Sequence, residues 1–417
     1  MKNNKIRYGK DFMLVIVGQI VSLFGNAILR FSLPLYLLRE TESSTLFGIV
    51  TACSFLPMIV LSLLGGVLAD RVNKRNIMVG LDFLTAFVVT TFYILMGIAP
   101  IIPLFMVTLM LLYGISSTYQ PAVQASIPIL VSKKHILSAN SIVNQIGSLA
   151  NFIGPIVGGM LYGIWGIESI VKVSIICFIL SAIMEIFIVI PFNKTMTNDS
   201  AFRIVKSDLQ DSIRFLRFKK PVFIRVCFII AGLNLFLSAM LTICIPVIII
   251  DTLSMTEQML GITQGLLAIG GIIGGLLTAA FVKKLNPKKA YIFLLLCSAF
   301  TCIIGLAMLP QDLIFFKYMI LSGMGLAVTI SSTMFSIQML SVVQIETPEH
   351  LVGKVIACIM TFIMCAQPIG QLIYGILFEL LSQNISIIII GTSVISFLIA
   401  LYSKQILKEL GGFCCNE

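Results

Sequence analysis

Three ionisable side chains stand inside long apolar runs of this sequence: Arg30, Asp82 and Glu185. A charge held at membrane depth is unfavourable by roughly 3 kcal/mol even on insertion-based scales, so each one is a candidate for function. Glu185 lies about four helical turns beyond Lys172, too deep for a plain interfacial residue. It is the leading candidate to carry a proton, the competing reading being a carboxylate that reaches water near Pro191. Arg30 sits one turn from Asn26 and about three from Gln19, a polar stripe that suits an anionic group, a proton-coupled carboxylate partner, or simple snorkelling to the membrane surface. Asp82 follows Arg75 on a similar helix face, where it can either support a basic turn or take part in proton transfer. Uncharged polarity at Gln19, Asn26, Gln145, Asn234, Gln264 and Gln367, joined by Arg30, marks candidates for lining a substrate cavity, with Asn151, Gln338 and Gln371 as further polar positions in or beside the runs.

The elements that must position these groups follow from composition. The 417 residues are 58% hydrophobic and 11% charged, against about 25% charged in an ordinary soluble domain. No water-soluble core hides that much apolar surface, and in lipid only helices or closed barrels satisfy their own backbone groups. The runs are long and continuous rather than alternating, which selects helices. Spans fall near 12–38, 46–69, 76–98, 101–120, 141–165 and 168–191, then near 222–250, 258–282, 289–309, 313–338, 353–379 and 385–406. The expected fold is an all-α membrane protein of twelve transmembrane helices: a six-helix bundle over 1–191, a hydrophilic linker over 192–221 and a second six-helix bundle over 222–417. In the linker, Asp208, Leu209, Ile213, Leu216 and Arg217 have the spacing of an amphipathic helix lying on the membrane surface.

Charge placement fixes the expected topology. With both termini cytoplasmic, all of the 28 Lys and Arg except Arg30, Arg39, Lys172 and Lys317 fall on the inner side, while Glu40, Glu42, Glu168, Asp251, Glu257 and Asp312 fall on the outer. The net charge of +10 is thus a topology signal dispersed between spans rather than a nucleic-acid surface. Lys317 and Glu379, near outer helix ends, read as snorkelling or paired groups. Eight of the ten cysteines fall inside apolar segments and read as packing residues, and Cys414 and Cys415 have no ligand partners nearby. The first run is too long for a signal-peptide core and is expected to stay as a span.

Internal repetition supports two halves: Gly65-Gly66-Val67-Leu68-Ala69 returns as Gly274-Gly275-Leu276-Leu277-Thr278, and Pro155 with Tyr162-Gly163 returns as Pro368 with Tyr374-Gly375. Repeats of this kind in membrane proteins point to carriers with a site near mid-membrane. The segment from Gly66 through Asp70, Arg71, Asn73, Lys74 and Arg75 resembles the G-x-L-A-D-R-x-G-R-R signature of the major facilitator superfamily, and the six-plus-six pattern resembles that family over essentially the whole chain. The resemblance implies a gating latch at Gly66, Asp70, Arg71, Lys74 and Arg75. Asn73 replaces the usual glycine; asparagine tolerates left-handed backbone angles, so the turn is expected to persist.

Gly154-Pro155-Ile156-Val157-Gly158-Gly159 resembles the G-P-x-x-G-G part of the antiporter motif, although Ala150 and Ser141 replace its upstream glycines. Proline and glycine at these positions permit bending and close helix contact. The stretch from Pro121 through Pro128 to His135 and Ser141, read as a loop, and the stretch Thr347 to Lys354 are similar to the branch that holds macrolide efflux pumps and the enterobactin exporter. His135 and His350 read as loop residues.

These resemblances imply a monomeric cell-membrane carrier, not an enzyme, that exports small amphipathic molecules against protons with lipid as its solvent; a carrier of a native metabolite, siderophore or lipid, and a non-transporting sensor, are the rivals. No nucleotide loop, metal site or nucleophile triad is visible, and no cofactor is expected.

Overall fold

The computed structural model describes residues 9–132, 135–191, 201–281, 285–309 and 313–410, with backbone only at 63–71, 137, 201–206, 208–209, 349–350 and 408–410. Among these residues the ordered structure is helical: α1 Lys10–Thr41, α2 Ser44–Arg71, α3 Lys74–Leu95, α4 Ile101–Leu130, a run Ile136–Ile186, α7 Ala201–Phe218, α8 Pro221–Thr252, α9 Glu257–Ala280, α10 Tyr291–Ala307, α11 Ile314–Glu346, α12 Glu349–Leu380 and α13 Ile385–Leu410. Eleven of these segments are long and apolar enough to cross a membrane.

The run of 51 residues is two spans. A straight helix of that length would extend about 77 Å, more than twice the hydrocarbon thickness of about 30 Å. Its backbone breaks at Gly166, whose φ of 68° belongs to the left-handed region that glycine enters freely. The packing proves a reversal there. Before the break, Gly154 and Gly158 meet Ala27 and Phe31 of α1, so the two chains run in the same direction; after it, Cys177 meets Gly25 and Ser181 meets Gly18, so they run oppositely. The pieces 136–165 and 167–186 are therefore α5 and α6, and the membrane helices number twelve.

One helix and one turn are built otherwise than expected. Residues 121–130, read above as loop, extend α4, with Pro121 and Pro128 inside it. Each proline removes one backbone donor, but Ala122, Val123 and Ile127 are fully buried, and that packing keeps the chain helical. The Asn73 turn persists for a reason other than left-handed tolerance: its φ is −59°, and its side chain caps α3 by accepting the Arg75 amide at 3.0 Å.

The chain groups into two compact units, residues 1–36 with 54–202 and residues 37–53 with 203–417. In the first, apolar faces of α1, α3, α4 and α5 share a core that includes Phe12, Met78, Val123 and Val143. In the second, α8 contains two stretches with π-type hydrogen bonding, Leu233–Ser238 and Val247–Thr252. The second unit also takes in the hairpin that joins α1 to α2. There Gly48 lies so close to Gln371 and Gly375 of α12 that an added methyl would stand 2.7 Å from the Gln371 carbonyl oxygen. Glu379 Oε2 accepts from Ser43 Oγ at 2.5 Å and from the Thr45 amide at 2.9 Å, so a side chain from α12 caps the start of α2. Arg39 adds an ion pair to Glu257 at 2.8 Å. Glu379→Ala is expected to weaken this cap by about 1 kcal/mol, and Glu379→Gln, which keeps an acceptor, by less. Hydrogen exchange of the amides at 45–48 measures it; equal protection in both variants and the parent would contradict the capping role.

Candidate functional site

In the first unit, Gly18 of α1 meets α6 and Ser22 of α1 meets α3 at a place where apolar side chains would be expected. Glu185 on α6 is 0% exposed, and its Oε1 accepts the Tyr119 hydroxyl of α4 at 2.6 Å. Asp82 on α3 is 2% exposed, and its Oδ1 accepts the Ser22 hydroxyl at 2.9 Å. Ser181, one turn before Glu185, donates to the Gly18 carbonyl at 2.9 Å and faces both Asp82 and Tyr119. Gly18 makes room for the arrangement: a methyl on it would lie 3.4 Å from Glu185 Cγ. Gly18 and Ser22 are one α1 turn apart, so the two carboxyls contact the helix about 6 Å apart along its axis.

Among the described residues neither carboxyl joins a Lys, Arg or His, and the second oxygen of each, Glu185 Oε2 and Asp82 Oδ2, lacks a hydrogen-bond partner, as do both amide atoms of Gln19. A carboxyl that accepts through one oxygen can carry a proton on the other and donate it, so an acid, a carboxylate and hydroxyl relays all fit this geometry. Asp82 does not pair with Arg75 among the described residues. Arg75 instead donates to the carbonyl of Ile186, and Asn73 donates to that of Ile190 at 3.4 Å. Asp11 of α1 accepts the Val189 amide at 3.0 Å through Oδ1, so backbone groups at and beyond the end of α6 engage polar side chains from both α1 and the basic turn. The reason is reach: residues 75 and 82 are two turns apart, and the α6 terminus offers unpaired carbonyls closer by.

Arg30 is not joined to a carboxylate among the described residues. Its guanidinium stacks 3.9 Å from the centroid of the Tyr113 ring and donates to the Leu112 carbonyl at 3.4 Å, leaving Nε without a partner. A planar cation on an aromatic face suits arginine and not lysine. Tyr113→Leu is thus expected to destabilise the first unit by about 1–2 kcal/mol, and Tyr113→Phe by much less; a thermal-unfolding comparison with both variants alike would remove the stacking role.

The remaining candidates fall in different settings. Gly66, Asp70 and Arg71 lie on the last turns of α2, where the side chains are outside the described residues, as are Lys133, Lys134, Asp312, Cys414, Cys415 and the side chains of Asp208, Leu209 and His350. Lys74 opens α3. Gly154 and Gly158 are buried against α1, and Pro155 and Gly159 share that stretch of α5. Asn26 is half-buried with its Oδ1 unpartnered, and Gln338 and Gln371 are buried with both amide atoms unpartnered. Asn234 bonds its own helix at Ile230, Gln264 and Gln367 are half-buried, and Gln145 and Asn151 are exposed. Lys317 is buried to 9% exposure rather than extended to a surface. Sequence reasoning missed Tyr119, Ser22 and Ser181. No signal in the sequence marks Tyr119, which stands one residue from the end of the expected span 101–120 and two before Pro121.

Apolar helices of membrane length, with a buried acidic pair in the first unit that no described cation joins, are the build of a membrane transporter. The chain belongs to the Major Facilitator Superfamily, whose sequence profile matches residues 15–370. It is 26% identical over 396 residues to macrolide efflux protein A of Streptococcus pyogenes, an alignment that covers 92% of this chain and 93% of that protein. It is 24% identical over 270 residues to the staphyloferrin A transporter of Staphylococcus aureus, covering 64% and 66% of the two chains. Among solved structures, the nucleoside transporter NupG superposes with a TM-score of 0.73 over 96% of this chain and 99% of its own, at 11% identity. That likeness concerns the fold.

Proposed function

We propose that this chain is a proton-coupled exporter of small amphipathic compounds that works by alternating access, with both termini in the cytoplasm of a cell whose plasma membrane holds it. The observation that carries the reading is the buried pair Glu185 and Asp82, bonded to Tyr119 and Ser22 and joined by no cation among the described residues. A carrier couples a gradient only if protonation changes the relative stability of its access states. A site that is neutral when it holds protons and charged when it does not has that property, because the charged form requires water or polar donors to reach it. Arg30, Gln19 and Asn26 lie on α1, the helix whose Ser22 donates to Asp82, and would present polar groups to a substrate; within the second unit Gln264 and Gln367 are candidates of the same kind. The likeness to macrolide efflux protein A and the Gly154-Pro155 run support export.

The test uses everted membrane vesicles from cells that express the chain, supplied with radiolabelled erythromycin. Export in the cell appears as uptake by everted vesicles, and it is expected to require a proton gradient and stop with a protonophore. Uptake that persists unchanged after the gradient collapses would contradict proton coupling. The likeness to the staphyloferrin A transporter favours a second reading, a carrier for a native metabolite or siderophore. Gradient-dependent movement of a siderophore and none of erythromycin would select it.

A further inference from the structure

The linker helix builds a cavity that the transport reading does not use. Asp211, Arg214, Phe215 and Phe218 occur at spacings of three, four and seven residues, a single stripe along α7. This stripe, with Lys219, faces Leu351 and Lys354 at the start of α12 across a cavity of about 610 Å³. Lys354 reaches Asp211 at 3.2 Å. Arg214 and Lys219 have no carboxylate partner among the described residues, and the described lining of the cavity carries three cations and one anion. Phe218 is 73% exposed, a large apolar ring left beside those charges.

Position tells what fills such a space. The membrane span α8 begins at Pro221, three residues after Phe218, and the apolar span of α12 begins at Leu351, on the opposite wall. Both walls therefore meet the bilayer at its edge, where phosphate headgroups and the first methylenes of lipid lie together. Aromatic rings and basic side chains are the groups that settle at that depth. A free anion would satisfy Arg214 and Lys219 but leave Phe218 in water, and an uncharged lipid would cover the ring but not the cations.

We infer that this cavity binds one anionic phospholipid, its phosphate held by Arg214, Lys219 and Lys354 and its acyl chains covering Phe218, and that the lipid ties the linker helix to α12. Asp211 competes with the phosphate for Lys354, which sets the affinity below the maximum the basic groups allow. The reading is independent of substrate and of proton coupling.

Native mass spectrometry of the full chain with phosphatidylglycerol, phosphatidylcholine and inorganic phosphate tests it. One phosphatidylglycerol is expected to bind saturably, at least tenfold more tightly than phosphatidylcholine, and inorganic phosphate is not expected to displace it. The double variant Arg214→Gln with Lys219→Gln should weaken binding roughly thirtyfold. Asp211→Asn should strengthen it. The double variant Lys288→Gln with Lys289→Gln, which removes two exposed cations elsewhere, should leave it unchanged. Equal affinity for the two lipids, displacement by phosphate alone, or equal weakening by both double variants would overturn the assignment.

Discussion

Glu185→Gln is expected to abolish uphill export while leaving exchange of substrate across the membrane intact. Glutamine has nearly the shape of glutamate, and its amide can still face the Tyr119 hydroxyl that now lies 2.6 Å from Glu185 Oε1. What it loses is the ability to gain and release a proton. With one proton exchanged for one uncharged substrate molecule per cycle, a membrane potential of about 150 mV sustains a concentration ratio of roughly 300-fold. The variant should reach a ratio of one under the same potential. Counterflow between equal proton concentrations needs no net proton movement, so radiolabel exchange in proteoliposomes should persist. Loss of both activities together would mean that Glu185 serves the structure of the first unit, and full uphill export would remove it from coupling. Tyr119→Phe deletes only the hydroxyl and should give an intermediate ratio, because Glu185 then keeps its proton chemistry without its fixed donor.

The second large effect concerns the contact between α1 and α5. A methyl on Gly154 would stand 2.5 Å from Ala27 Cβ, closer than any real pair of carbon atoms, whereas its distances to Ala27 backbone atoms, 3.4 and 3.5 Å, are ordinary. Gly154→Ala is therefore expected to push the helices apart, with a loss of about 1–3 kcal/mol in stability and a matching fall in transport. The clash involves a single methyl on each helix, so Ala27→Gly in the same chain should restore both. Gly147 is on the same helix with open space around it, and Gly147→Ala should be silent. Thermal unfolding in detergent and vesicle transport measure the four chains. Failure of the Ala27→Gly partner to rescue would show that Gly154 is needed for bending rather than for close approach.

Much of the fold was legible because hydropathy measures what a bilayer demands of a helix. The expected break between 165 and 168 falls where Gly166 reverses the chain, and the deep placement of Glu185 follows from counting turns. Hydropathy does not report direction around a helix axis, so Asp82 could be placed in its span but not turned toward Ser22 and away from Arg75. The local effect of proline alone places Pro121 in a loop; in the structure the burial of Ala122, Val123 and Ile127 outweighs one missing hydrogen bond. Tyr119 and Ser181 were invisible because their importance comes from helices far apart in sequence converging on α1. The π-type stretches of α8 leave no mark in composition at all. The grouping of residues 37–53 with the second unit rests on small contacts, such as Gly48 against Gly375, that a single sequence does not pair.

The most direct measurement of the central claim counts protons. Proteoliposomes that enclose a pH-sensitive dye, with no imposed gradient, receive erythromycin on one side, and the internal pH is followed. The chain as it stands is expected to move protons opposite to the drug, and the Glu185→Gln variant to move the drug without any pH change. Drug movement with no proton signal in the unaltered chain, or an undiminished proton signal in the variant, would contradict the assignment of the Glu185 and Asp82 pair as the coupling site.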